Sequence, residues 1–327
     1  GFRHMQARSI GRAIANPTFM GALLIALAGF ASAWAYRREE KTQFALLYYL
    51  WGLLWWPLKG FAGVGLSGPM LSLLSYGAVG LLGIGLLWRE RRTWKPQTAL
   101  LLLLMLVGGW ANTAFVQALV MGDVVRVMLL FYLAPVWSVL GGRLFLGEAI
   151  SRRRALAVVL ALVGLWFVIG GSAAWAKPLG TADWLALSAG LAFAGNNLIS
   201  RAAQAIPMTS KTVAVFFGCG LLSGGSVLMA GAEMPPITAL IALALAGYAF
   251  IWLLLATVTW QYGVTHLESG RAGLILTVEL LVAVVSAVWL GEESLRPVEW
   301  AGGALIAVAA LIEATDSSES TPKEKAG

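Results

Sequence analysis

Along the chain, long apolar runs alternate with short polar breaks. The runs fall at about 18–36, 42–61, 69–88, 98–120, 126–146, 155–172, 182–201, 212–231, 238–262, 271–290 and 298–314. A bilayer crossing needs about 20 mostly apolar residues, so the pattern predicts membrane-spanning helices. Gly68-Pro69, Lys95-Pro96, Lys177-Pro178, Pro207 and Pro235-Pro236 mark the loops between them. The connections leave no room for a soluble domain, and the tail after Ile312 is polar enough to predict disorder.

One unit of this pattern occurs twice. Arg126 precedes Pro135 by nine residues, and Arg271 precedes Glu279 by eight. Twelve residues beyond Pro135 and Glu279 come Gly147 and Gly291, each followed by a glutamate, Glu148 and Glu292. Duplication of a hydrophobic unit is a mark of transporters built from internal repeats.

Composition changes the picture in one respect: it makes the bilayer the solvent. The 327 residues are 59% hydrophobic and 12% charged, with a mean hydropathy of +0.79, whereas a soluble domain carries about 25% charged residues. The net charge of +7 sits in short loops instead of one face, which argues for membrane orientation and against nucleic acid. Arg89, Arg91, Arg92 and Lys95, then Arg152, Arg153 and Arg154, then Arg201, Lys211 and Arg271 border one set of loops. The alternate loops hold little beyond Lys177 and Arg296. The first set is therefore expected in the cytoplasm, together with the C-terminus.

The run at 18–36 fits this scheme poorly, because it would leave Arg3, Arg8 and Arg12 outside. With Ala31-Ser-Ala33 it resembles a secretory signal, yet cleavage would strand the next span. An eleventh span is the expectation.

The residues 131–151, FYLAPVWSVLGGRLFLGEAIS, followed by ALAVVLALVGLWFVIGG at 155–171, resemble the closing helices of a repeat in the drug/metabolite transporter superfamily, of the EamA kind. LILTVELLVAVVSAVWLGEESLRPVEWAGGALIAVAAL at 274–311 resembles the same helices of a second repeat. Leu50-Trp51-Gly52 with Lys59-Gly60 is similar to that family's first helix, and Gly68-Pro69 to the entry of its second. The likeness covers about residues 42–315. It implies an all-α integral membrane protein with ten transmembrane helices as two inverted five-helix repeats, here plus one extra N-terminal hydrophobic helix. The corresponding boundaries are 1–41 for the N-terminal segment, 42–176 and 177–315 for the repeats, and 316–327 for a disordered cytoplasmic tail. It also implies a central, water-filled substrate chamber and alternating access. One departure stands in the second repeat, where Glu279-Leu280 replaces a Glu-Pro type of pair.

Candidate chemistry is sparse. His4 and His266 are the two histidines and Cys219 the single cysteine; Cys219 in an apolar run reads as a buried, inert thiol. No metal site, cofactor loop or nucleophile–base pair is legible, so neither an enzyme nor an ATP-driven pump is expected. Glu279 lies about a third of the way along its run, a depth where an ionised carboxylate marks function. It either binds a proton during transport or holds a substrate ammonium; the alternative is a structural carboxylate bonded to a neighbouring helix. Arg126 either attracts a substrate carboxylate, snorkels to headgroups, or pairs with Asp123. Asn112 and Gln117, Asn196 and Asn197, and Gln261 are amides within the runs that line the chamber or join helices, Asn112 and Asn196 at mid-span. Trp51 and Trp55 share a helix face at i, i+4 and could stack on a ligand or simply pack. Pro135 should bend its helix and free the carbonyl near Phe131, as a hinge or as a static kink, with Tyr132 beside it. Glu148 and Glu292 read as caps or ion pairs at the helix corners.

These features predict a secondary transporter of small amphipathic metabolites, amino acids and aromatic ones among them, exporting across a bacterial-type inner membrane. Its partners would be a small-molecule substrate and membrane lipid, with protons as a further candidate. A multidrug exporter of cationic aromatic compounds and a non-transporting membrane scaffold or lipid-handling protein are the alternatives.

Overall fold

The computed structural model describes residues 49–147, 150–169, 179–257, 269–291, 293 and 295–319. The run at 18–36, Glu148, Glu292, Gln261, His4, His266 and the side chain of Arg271 lie outside the described residues.

Ten helical passes follow one another among the described residues. They are α1, in two pieces Tyr49–Gly52 and Trp55–Gly63; α2, Gly68–Arg89; α3, Thr98–Met121; α4, in two pieces Val124–Phe131 and Ala134–Leu146; and α5, Arg152–Val168. Next come α6, Thr181–Ala202; α7, Met208–Met229; α8, Ala239–Thr257; α9, Ser269–Leu290; and α10, Pro297–Glu319. The protein is an all-helical, multi-pass membrane protein. The passes containing Gly68–Arg89, Arg91–Met121, Val124–Phe145, Met208–Met229 and Ala239–Thr257 are long and apolar enough to cross a bilayer. Helix α10 continues to Glu319, past the residue 315 boundary.

Side chains facing away from the bundle are apolar, as lipid requires. Leu82, Leu144, Phe145, Leu228 and Met229 are more than two-thirds exposed, which water would penalise and hydrocarbon does not. Trp88, Trp184, Trp289 and Trp300 are exposed near helix ends, where aromatic belts sit at the headgroup level. Arg91 lies 4.7 Å over the Trp88 ring, a cation–π contact suited to that interface.

Helix pairing follows a regular rule. Helices α5 and α10, α2 and α7, and α4 and α9 pack on one another, so each helix in these pairs meets the helix five places along. Two further sets of contacts match in the same way: α4 with α6 and α9 with α1, and α4 with α5 and α9 with α10. These pairings are the ones a two-fold operation exchanging α1–α5 with α6–α10 produces. Five crossings is an odd number, so the second set starts on the opposite side of the membrane and is inverted.

Two helices are broken by proline and two are widened. Pro57 and Pro135 carry no N–H, and each ring clashes with the carbonyl four residues back. The breaks fall at Leu53–Leu54 in α1 and at Tyr132–Leu133 in α4. Leu73–Gly77 in α2 and Tyr248–Leu253 in α8 are π-helical, a local widening often found at functional sites. The two Gly-Glu corners differ physically. Gly147 closes α4 with φ +68°, a left-handed conformation suited to glycine. Gly291 instead ends α9 beneath the Trp55 ring, which lies 3.3 Å from where a Cβ would be.

Where described residues of the two sets meet, the contacts are apolar and close. One apolar cluster joins Leu54, Leu71, Phe115 and Val127 of the first set to Ala186, Phe216, Leu280 and Ile306 of the second. Glycines draw the sets together: a Cβ on Gly80 would meet the Phe217 backbone at 2.6 Å, and one on Gly220 would meet Gly77 Cα at 2.6 Å. Close approach through small residues is how helices associate without a hydrophobic drive.

Candidate functional site

Arg126 stands in the first turns of α4, and its partner corrects the expected one. Its Nε and Nη2 donate to Asp183 Oδ1 and Oδ2 at 2.7 and 3.1 Å, and Nη1 donates to the Val168 carbonyl at 3.0 Å. The carboxylate is therefore that of Asp183, on α6, rather than that of neighbouring Asp123. Asp183 is held in turn by the Gly180 N–H at 3.0 Å, so one carboxylate caps α6 and grips α4. A bidentate guanidinium–carboxylate pair fixes orientation as well as charge.

The same end of the bundle carries two more links. Glu293, just past α9, accepts from the Val124 and Val125 amides at 2.7 and 3.0 Å. It supplies acceptors to the otherwise unpaired first N–H groups of α4, where negative charge is favourable. Lys59 Nζ donates to the Gly122 carbonyl at 2.7 Å, tying α1 to the end of α3. At the opposite end Ser210 Oγ donates to Glu90 Oε2 at 2.5 Å. Lys211 Nζ donates to the Ser200 carbonyl at 2.8 Å.

Trp51, Trp55 and Glu279 meet where α1 packs on α9. The Trp55 indole N–H donates to Ser286 Oγ at 3.0 Å inside the protein, so this ring is committed to joining helices. Trp51 is half-buried and its indole N–H has no hydrogen-bond partner among the described residues. Glu279 is 4% exposed, and a Cβ on Gly52 would lie 2.7 Å from its carbonyl oxygen. Gly52 is what lets α1 approach that turn of α9.

Asn112 and Asn196 converge on Gly108, at the contact of α3 with α6. Asn112 Nδ2 donates to the Gly108 carbonyl at 2.9 Å. Asn196 Oδ1 would be 2.5 Å from a Cβ on Gly108 and has no hydrogen-bond partner among the described residues. Gln117 lies apart, its backbone 2.9 Å from a Cβ on Gly68 at the start of α2.

Pro135 and Tyr132 line a small crevice between α4, α5 and α10, with Val139, Ala157, Ala161 and Ile306. The Phe131 carbonyl, which Pro135 cannot pair, lies against Gly190 of α6, 2.7 Å from a Cβ there. Phe131 also packs on Phe115, Tyr132 and Phe193, with ring centroids 4.5, 5.9 and 5.4 Å away. The break in α4 thus rests on an aromatic bed.

Around Cys219 the structure also assembles polar groups that the sequence pattern does not single out. Ser72 and Tyr76 of α2, Thr113 of α3, Cys219 and Ser223 of α7 and Tyr248 of α8 are all buried. A mid-span tyrosine signals a need for a hydroxyl partner, and both tyrosines lie near the middle of their helices. Cys219 is a buried free thiol. No cluster of His, Cys, Asp and Glu able to hold a metal occurs among the described residues.

The EamA-like transporter family model matches residues 43–170 and 180–314, one stretch for each set of five helices. A protein of Streptantibioticus cattleyicolor described as a probable terminal-alkyne amino-acid exporter is 28% identical over 265 residues. The alignment covers 75% of this chain and 83% of that protein. A crystal structure aligns with a TM-score of 0.53 at 18% identity, over 83% of this chain and 96% of that one. That likeness concerns the fold alone.

Proposed function

Because the chain belongs to the EamA-like transporter family, we propose that it is a secondary carrier exporting small amphipathic amino acids by alternating access. It would act in a bacterial-type inner membrane with its C-terminus in the cytoplasm, its repeats being 42–176 and 177–315. The observation that carries this reading is the set of interrupted helices gathered between the two halves. Alpha helices that break or widen at mid-depth expose backbone and polar groups where carriers bind solutes. Here α1, α2, α4 and α8 all do so. The relative described as an amino-acid exporter supports the substrate class.

On this reading the close contacts between the two sets belong to a closed conformer. The links of Arg126, Glu293 and Lys59 hold the outer end shut, while the Pro57 and Pro135 breaks let half-helices swing. Glu279, buried against the broken α1, is the group through which a proton would couple to the cycle.

The test is uptake of radiolabelled L-leucine, L-tryptophan and L-propargylglycine into proteoliposomes, with and without a pH gradient. The reading predicts saturable flux above empty vesicles and a preference for amino acids over cationic dyes. Flux no greater than in empty vesicles for all three would contradict it.

A further inference from the structure

Six uncharged hydrogen-bonding side chains meet at the junction of α2, α3, α7 and α8. Ser72, Tyr76, Thr113, Cys219 and Ser223 are fully buried, and Tyr248 is 4% exposed. Thr113 Oγ1 lies 3.2 Å from Ser223 Oγ and 3.4 Å from Cys219 Sγ. The π-helical segments that carry Tyr76 and Tyr248 pack on one another. The hydroxyls of Tyr76 and Tyr248 have no hydrogen-bond partner among the described residues, while Ser72 faces the Cys219 thiol. An unmatched buried hydroxyl costs about 1–3 kcal/mol, so gathering two of them in one place calls for a reason.

Three features make the cluster a site. It spans the two halves, with three members from α2 and α3 and three from α7 and α8. Tyr76, Cys219 and Tyr248 sit near the middle of their helices, the depth at which carriers bind solutes. Both tyrosines belong to the π-helical segments, Tyr76 to Leu73–Gly77 and Tyr248 to Tyr248–Leu253. Each ring is also held edge-on, Tyr76 by Phe216 at 5.2 Å and Tyr248 by Phe61 at 5.7 Å. Packing of this kind aims a phenol and limits its freedom.

From this geometry we infer that the Tyr76–Tyr248 cluster binds the zwitterionic head of the substrate. This rests on the carrier reading above. Phenol O–H groups donate to a carboxylate through charge-assisted bonds, which are about twice as strong as neutral ones. Hydroxyl oxygens of Ser72 and the tyrosines accept from the ammonium. A net-neutral zwitterion suits a pocket whose six members carry no charge, whereas a lone cation would stay uncompensated there. The backbone contact of Gly77 with Gly220 closes α2 on α7 beside the cluster. Separation of those two helices, which pair across the two-fold, opens it.

The experiment measures uptake of L-leucine by the full chain and by Tyr76→Phe, Tyr248→Phe and the double variant in proteoliposomes. Phenylalanine keeps the ring packing, and thermal melting in detergent checks that each variant is folded. Either single change should raise KM about tenfold, equivalent to about 1.4 kcal/mol, with maximal flux within about twofold of wild type. Leucinol, which lacks the carboxylate, should compete poorly against wild type and relatively better against the double variant. Wild-type KM in both single variants, or lost maximal flux at unchanged KM, overturns the site while leaving the carrier reading intact. A wild-type protein that moves no amino acid overturns both.

Discussion

Arg126 and Asp183 are joined by two hydrogen bonds, 2.7 and 3.1 Å long, that tie α4 of one half to α6 of the other. The guanidinium is about a quarter exposed and the carboxylate less, so water screens the pair only in part. Asp183 also caps its own helix through the Gly180 amide.

Replacing Asp183 by Asn should therefore cost on the order of 1–3 kcal/mol, from a weakened cap and a half-buried guanidinium left short of charge. Arg126→Lys should also destabilise, because an ammonium cannot reproduce the two-point fork. Thermal melting of the purified protein checks both, and unchanged melting temperatures would show the pair to be ornamental.

Gly218 and Gly225 lie on the same helix and should respond oppositely to alanine. A Cβ on Gly218 would overlap the Met105 carbonyl oxygen, whereas one on Gly225 meets nothing within 4 Å. Gly218→Ala must push α7 off α3 and should cost about 1–3 kcal/mol or more. Gly225→Ala should be neutral or stabilise by about 0.5–1 kcal/mol, because alanine loses less backbone freedom. Yield of folded protein and thermal melting read both changes.

Pro135→Ala restores an N–H able to pair with the Phe131 carbonyl and removes the clash that splits α4. The helix should straighten, raising melting temperature slightly while slowing transport several-fold. Unchanged flux would mean that the bend is static.

Glu279→Gln keeps the shape of a side chain buried at the α1–α9 contact and removes its titration. If the carboxyl carries the proton, the stimulation of uptake by a pH gradient should vanish while facilitated flux persists. A variant that keeps both its flux and its pH response removes Glu279 from the coupling.

What the sequence reveals here follows the range of the interaction. The apolar runs and the duplicated corner predict the helices because lipid acts on every residue of a span locally. Pro135 predicts the break in α4 for the same reason. Pro57 obeys the same rule, but apolar neighbours on both sides make its run read as unbroken. Asp123 was the nearest carboxylate to Arg126 in sequence, while Asp183 is the one that folding delivers. The Tyr76–Tyr248 cluster was equally hidden, since its six members come from four runs and none is charged.

Counterflow tests the alternating-access carrier most directly. Proteoliposomes loaded with excess unlabelled L-leucine are diluted into a trace of labelled L-leucine, and its entry is followed over time. The account predicts a transient overshoot, because a site that faces one side at a time returns faster when loaded. Entry that merely equilibrates, at the rate seen in unloaded vesicles, would contradict it.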